Sequence, residues 1–216
     1  MIEIGPADLP VQTARALVEL QASITAVEGY PNRVSQARIR YDAECRRGNA
    51  AFDVVRRTLE SMCVGACRCM YCEDSAACEV EHFRPKSFYP DLVFVWLNYL
   101  YSCGACNRIK RSKFRILVAN TVSVDLVRRR GEPVVAPEDG SPVLINPRNE
   151  DPLYYLGLDL IDTFWFVPRH PIGTWEHTRA DYTIASLKLN ERDELPKARQ
   201  EAYHGYRARL TEYFLA

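Results

Sequence analysis

The sequence predicts an α+β fold in which a small irregular centre is held between helical flanks. Three observations carry that expectation. Apolar residues recur at helical spacing toward both ends, eight cysteines crowd the middle, and the segments around them mix short β-type runs with proline and glycine breaks. With 216 residues, 47% apolar and 26% charged, the chain can bury one substantial core, which sets aside disorder, collagen and coiled coil.

Taken in order, residues 7–27 and 35–62 read as helices separated by the Gly29, Pro31 and Asn32 break. In the second, Phe52, Val55, Leu59 and Met62 form one apolar stripe. Residues 63–80 are rich in Cys, Gly and Ala and show no period, as expected of a segment wrapped on a metal. Residues 81–102 hold short β-type runs such as Leu92-Val93-Phe94-Val95-Trp96, interrupted by Pro85 and Pro90. A short helix is expected near Cys106. The stretch 131–152, with Pro133, Pro137, Pro142, Pro147 and Pro152, reads as an extended loop. Helix returns from Thr178, and after Pro196 the residues Ala202, Tyr206, Leu210 and Tyr213 share a face. The expected organisation is an N-terminal helical region over 1–62, a central unit over 63–125, and a loop with C-terminal helices over 126–216, forming one compact unit.

Twenty-eight basic and twenty-eight acidic residues cancel, which argues against a protein that coats nucleic acid while leaving local patches open. The most apolar run, Leu92 to Tyr101, is about half the length of a membrane-spanning helix and is interrupted by Asn98. Glu3, Pro6, Asp8 and Pro10 precede any apolar stretch, so no secretory signal is expected and the location expected is cytoplasmic.

In a cytosolic chain, cysteines are more often metal ligands or buried thiols than a disulfide framework. Cys69/Cys72 and Cys103/Cys106 form two Cys-x-x-Cys pairs, whose tight turns can aim four thiolates at one structural Zn²⁺. Cys67, two residues before Cys69, is a possible substitute ligand. Cys45 is expected to be a small buried apolar residue, while Cys63 and Cys78 have no evident partner. A thiol redox protein is the competing explanation of the pairs.

Between the pairs lie Glu81-His82-Phe83-Arg84-Pro85-Lys86 and Asn98, and directly after them come Asn107 and Lys110. Phosphodiester hydrolysis is very slow unaided and calls for a metal ion and a placed base. Glu81 and Asn107 offer oxygen ligands suited to Mg²⁺ or Mn²⁺, and His82 a base titrating near operating pH. One constraint is evident: adjacent residues on a strand point to opposite faces, so Glu81 and His82 can share a site only where the backbone is irregular.

Cys69-Met-Tyr-Cys72-Glu73, Glu81-His82-x-x-Pro85, Asn98 and Cys103-x-x-Cys106-Asn107-x-x-Lys110 together resemble the HNH endonucleases of the ββα-metal group, in the subset with a four-cysteine zinc cluster. The resemblance implies a ββα-metal core embraced by the helical flanks, with Glu81 and Asn107 as ligands of the catalytic ion and His82 as general base. Asn98 would bond backbone and hold the loop. Glu-His-Phe-Arg-Pro-Lys, Leu144-Ile-Asn-Pro147, Leu187-Lys-Leu-Asn190, Leu195 and Arg199 are further similar to the HNH subunit of Septu-type and retron-associated anti-phage systems. That likeness implies a defence effector nuclease, cutting DNA in preference to RNA and working with an SMC-like ATPase. The alternative is an inactive zinc-stabilised module that binds nucleic acid or protein.

The basic residues Arg84, Lys86, Arg108, Lys110, Arg111, Lys113 and Arg115 surround this motif and are expected to track a nucleic-acid backbone. On a helix following Asn107, Arg108, Arg111 and Arg115 would align as phosphate contacts, with Lys110 nearest the scissile group. Arg128-Arg129-Arg130 reads equally well as plain surface, and the acids around 132–162 suit a protein contact or solvent. His170, His177 and His204 lack ligand-like neighbours. Phe164, Trp165, Phe166 and Trp175 are expected in a core or a partner interface.

Overall fold

The chain opens with three helices, α1 (Val11–Thr25), α2 (Tyr30–Glu44) and α3 (Ala50–Met62), in a computed structural model that describes residues 1–119 and 121–215. Gly29, at φ 79°, turns the chain into α2, where Pro31 occupies the first turn without losing a hydrogen bond. The single helix expected over 35–62 is two helices. Gly48 sits at φ 89°, and the Asn49 side chain accepts from the Phe52 N–H at 3.1 Å, capping a new helix. The predicted stripe holds: Phe52, Val55 and Leu59 are fully buried against Leu17 and Ile24 of α1.

Next come strand β1 (Glu79–His82), strand β2 (Tyr99–Ser102) and helix α4 (Gly104–Lys110). The two strands pair antiparallel, Glu79 opposite Ser102, Glu81 opposite Leu100 and His82 opposite Tyr99. The β-type run at Leu92–Trp96 is not a strand. It lies in two 3₁₀ turns, Pro90–Leu92 and Trp96–Asn98, and the connection between them. Pro90 cannot donate to a ladder, and Val93 and Phe94 bury their side chains in the helical core while their backbone groups bond turns and side chains rather than a neighbouring strand.

Strands β3 (Arg115–Val118), β4 (Val122–Asp125) and β5 (Gly140–Pro142) form an antiparallel sheet in the order β4-β3-β5. β5 lies inside the segment expected to be loop. A Cβ at Gly140 would come within 2.8 Å of the Leu117 carbonyl, so only glycine admits that approach. After α5 (Pro152–Tyr155) and the hairpin of β6 (Leu156–Leu158) and β7 (Phe166–Pro168), the chain ends in α6 (Trp175–Leu187) and α7 (Glu194–Leu215). α6 begins ahead of the expected Thr178 because Thr174 caps the His177 N–H at 3.1 Å.

One buried cluster runs from the helices through Tyr99, Leu100 and the paired cysteines to Leu187 and Leu195. α7 departs from it. Beyond Leu195 its shared face, Tyr206, Leu210 and Tyr213, is exposed. Phe164 and Phe166 are buried as core residues, whereas Trp165 is half exposed. Among the described residues no helix is long and apolar enough to cross a membrane.

Candidate functional site

The four paired cysteines converge. Sγ atoms of Cys69, Cys72, Cys103 and Cys106, all buried, lie within 4.8 Å of one another, and Cys72 and Cys103 are 3.9 Å apart. Zn–S bonds of about 2.3 Å at tetrahedral angles place sulfurs roughly 3.8 Å apart, so the cluster fits a closed structural zinc site. Main-chain bonds build it. Cys69 N–H donates to the Ser75 carbonyl at 2.9 Å, Met70 N–H to the Tyr101 carbonyl at 3.0 Å, and the Cys103 sulfur caps the first turn of α4 by accepting from Cys106 N–H at 3.4 Å. A zinc ion held there would keep all four sulfurs as thiolates, concentrating negative charge in the cluster. Arg192, which precedes α7, donates to Cys106 Sγ at 3.4 Å and offsets that charge.

Cys67 is outside the cluster, its sulfur 3.6 Å from the Ala77 carbonyl, and the same backbone holds it at φ 53°. Cys45 is half-buried rather than in the core, with its thiol raised by burial. Burial pushes Cys63 up to about 12, and Cys78 is exposed.

Strand alternation divides the remaining site residues. Glu79 and Glu81 face α4, with Ser102 and Leu100 beside them across the ladder, while Val80 and His82 face α2 and α3. Glu81 is 5% exposed and its carboxylate is paired with Lys110, which is 0% exposed and also donates to the His82 carbonyl at 2.8 Å. Burial raises the Glu81 carboxyl above its ordinary value against the pull of Lys110. Asn107 meets Glu79 instead, its Nδ2 2.5 Å from Glu79 Oε2. Glu81 and Asn107 are therefore not brought together as a ligand pair, because Lys110, one helical turn after Asn107, reaches Glu81 first. Lys110 in turn is no phosphate contact.

His82 lies on the opposite face from Glu81, because β1 stays regular through that residue. Its Nε2–H donates to the Val93 carbonyl at 2.9 Å, leaving Nδ1 as an acceptor, and its ring packs edge-on to Tyr41 and Tyr99 at 4.5 and 5.2 Å. Burial lowers its pKa to about 3, reinforced by the nearby Lys86. Asn98 bonds only backbone. Its Oδ1 accepts from Arg84 N–H at 2.8 Å, and its Nδ2 donates to the Arg84 and Leu92 carbonyls at 3.0 and 3.1 Å.

The basic window does not form one helical face. α4 ends at Lys110, Arg111 takes φ 47°, and Arg115 sits on β3. There Arg115 grips Asp125 with two bonds of 2.8 and 2.7 Å and lies over the Tyr182 ring. Arg108, Arg111 and Lys113 remain exposed. Arg84 stacks over Tyr89 and Phe114 and donates to the Gly140 carbonyl at 3.3 Å, and the Lys86 ammonium lies 4.5 Å from the Tyr41 ring centre. Arg128 is a structural residue: it bonds the Ser87 carbonyl at 2.5 Å and stacks on Phe88.

Glu79, which the motif reading did not single out, is the carboxylate that Asn107 meets. Its signal was the two-residue spacing from Glu81, which puts both carboxylates on one face of a strand. Ser102 Oγ, directly across from Glu79, is buried without a hydrogen-bond partner. Carboxylate, amide and hydroxyl are hard oxygen donors of the kind a Mg²⁺ or Mn²⁺ site employs, but Arg47 and Arg56 line the same cleft and Arg108 lies beside Glu79.

A segment of 45 residues is 54% identical to Septu protein PtuB of Bacillus thuringiensis. The matched part spans 18% of this chain and 18% of that protein, so the likeness is local. No protein-family profile and no solved structure matches the chain.

Proposed function

We propose that the protein is a metal-dependent endonuclease of the HNH type, hydrolysing phosphodiester bonds of DNA in preference to RNA, and the effector of an anti-phage defence complex. One observation carries the reading: a two-stranded hairpin and a short helix, joined at their base by the four thiols, bring an acid of β1 against Asn107 of α4. The local identity with a Septu protein supports the defence role, while an SMC-like ATPase as partner is what the sequence resemblance implies.

A bound Mg²⁺ or Mn²⁺ would polarise the phosphate and neutralise its developing charge. The chain's own residues would do the rest. Asn98 fixes the loop that follows β1 by bonding both ends of it. His82 is neutral with Nδ1 making no hydrogen bond, but it is buried on the face of β1 opposite Glu79 and Glu81, so it would take the proton of water, as the water oxygen bonds to phosphorus and the bond to the leaving oxygen breaks, only after β1 opens locally. Exposed Arg108 and Arg111 would hold neighbouring phosphates.

Purified protein, alone and with its ATPase partner, incubated with plasmid and Mg²⁺ or Mn²⁺ tests the reading. Nicking or linearisation that disappears in His82→Ala, with nucleic-acid binding retained, is the expected result. The closed Glu81–Lys110 pair and the buried imidazole favour a second reading, a zinc-stabilised binding module. Under it, binding persists and no metal elicits cutting.

A further inference from the structure

We propose that Arg192 is a positioning residue of the zinc centre: its guanidinium, carried on the turn between α6 and α7, bonds the metal-bound thiolates and makes seating of the C-terminal helices depend on zinc.

The charge of the cluster sets the need. One Zn²⁺ among four thiolates leaves two negative charges uncompensated, and all four sulfurs are buried. Buried charge without a partner is costly. The cations nearest the cysteines in sequence are committed elsewhere. Arg68 bonds the Glu73 and Asp74 carbonyls at 3.1 and 2.9 Å, and Lys110 pairs with Glu81.

Arg192 comes to the cluster from 86 residues along the chain, its Nη2 donating to Cys106 Sγ at 3.4 Å. Its Nε and Nη1 are also buried, and they have no hydrogen-bond partner. Beside neutral thiols such a guanidinium is left half unsatisfied, whereas beside a tetrathiolate it faces the charge that it lacks. Carboxylates are at hand and are passed over. Glu191 pairs with Lys188 at 2.6 Å, and Asp193 and Glu194 stay exposed.

The turn is built to hold Arg192 in this place. Lys188, at φ 52°, ends α6, and Leu187, Leu189 and Leu195 are buried on either side of Arg192. Leu195 N–H closes on the Arg192 carbonyl at 2.9 Å. Arg199 of α7 reaches back to the Leu189 carbonyl at 2.7 Å and lies 4.2 Å from the Phe166 ring centre. The string Leu187-Lys188-Leu189-Asn190, Leu195 and Arg199 is thereby a clamp that carries one guanidinium to the metal.

Zinc affinity of the full chain, read by competition with a chromophoric chelator, tests the assignment, with the sulfur-to-metal charge-transfer band of the Co²⁺-loaded chain as a second readout. Arg192→Met should weaken zinc binding by about 10–100-fold and shift that band, with helix content unchanged. Arg192→Lys keeps the charge but loses the planar fork, and should recover part of the affinity. Amide exchange at Leu189 and Leu195 should quicken in Arg192→Met. Parental zinc affinity and an unshifted band in Arg192→Met overturn the proposal, as does a purified parent that holds no zinc. If neither variant folds, slow chelation of the parent decides. Exchange at Leu189 and Leu195 that quickens ahead of α1 and α3 upholds the coupling, and simultaneous quickening, or none, overturns it. None of these readouts uses cleavage, so the nuclease reading is untouched by their outcome.

Discussion

Asn98 commits its side-chain amide entirely to main chain, bonding Arg84 on both its N–H and its carbonyl. Asn98→Ala strands those buried groups, each worth about 1–3 kcal/mol when left unsatisfied, so urea denaturation should show a loss of that order. Asn98→Asp should repair only the N–H contact. The Glu81–Lys110 pair behaves differently. Lys110→Met alone leaves a buried carboxylate and should cost about 3–5 kcal/mol. Adding Glu81→Gln should recover much of that loss, a coupling that a double-mutant cycle measures directly. Strong coupling would mark the pair as a structural strut, while additive losses would leave Glu81 independent of Lys110. Asn98's bonding to backbone was legible only through the resemblance to the HNH motif, and the structure shows the amide serving Arg84 N–H and carbonyl together. The sequence could not show that Lys110, rather than Asn107, takes Glu81: that depends on which turn of α4 faces β1.

At the level of elements, the zinc knuckles were plain from spacing alone, since Cys-x-x-Cys turns are local and need no tertiary context. Cys72→Ser should release zinc, counted by elemental analysis, and loosen the junction of β2 and α4, because metal binding of order 10 kcal/mol in small zinc domains is folding energy. Parental melting in that variant would remove the site from the fold's foundation. Elements set by long-range packing were harder to read. Leu92–Trp96 carries strand-forming residues, but Val93 and Phe94 fill the helical core from turns, and burial prevailed over propensity. The 35–62 helix breaks at Gly48, where a local φ outweighs periodicity on either side. The basic window misled in the same way. Arg115 left the helix for β3 and found Asp125, so Arg115→Ala should leave the salt slope of DNA binding unchanged, while Arg111→Ala should reduce it by about one. Equal slopes in both variants would return the run to plain solvated surface.

Across the whole molecule, the C-terminal helices are fastened to the centre by Arg179 and Glu150. Arg179, nearly buried on α6, bonds both Glu150 oxygens at 2.5 Å and the Tyr155 hydroxyl at 2.7 Å. Burial works to raise the Glu150 carboxyl, but the Arg179 bonds prevail and hold it below its ordinary value. A depressed carboxyl adds stability that is present above its unfolded pKa and is lost as pH falls through the folded one. Denaturation midpoints should therefore decline on acidification below about pH 4.5, and Glu150→Gln should flatten that decline. α7 beyond these contacts carries another consequence, a colloidal one. Tyr206, Tyr213, Phe214 and Leu215 are 61%, 77%, 75% and 83% exposed on a chain of zero net charge and isoelectric point near 6.9. Without net repulsion to keep molecules apart, solubility should pass through a minimum close to neutral pH, and light scattering should rise there at low salt. Tyr213→Lys with Leu215→Lys moves the isoelectric point upward and shrinks the sticky surface, so the turbid zone should narrow and shift to higher pH.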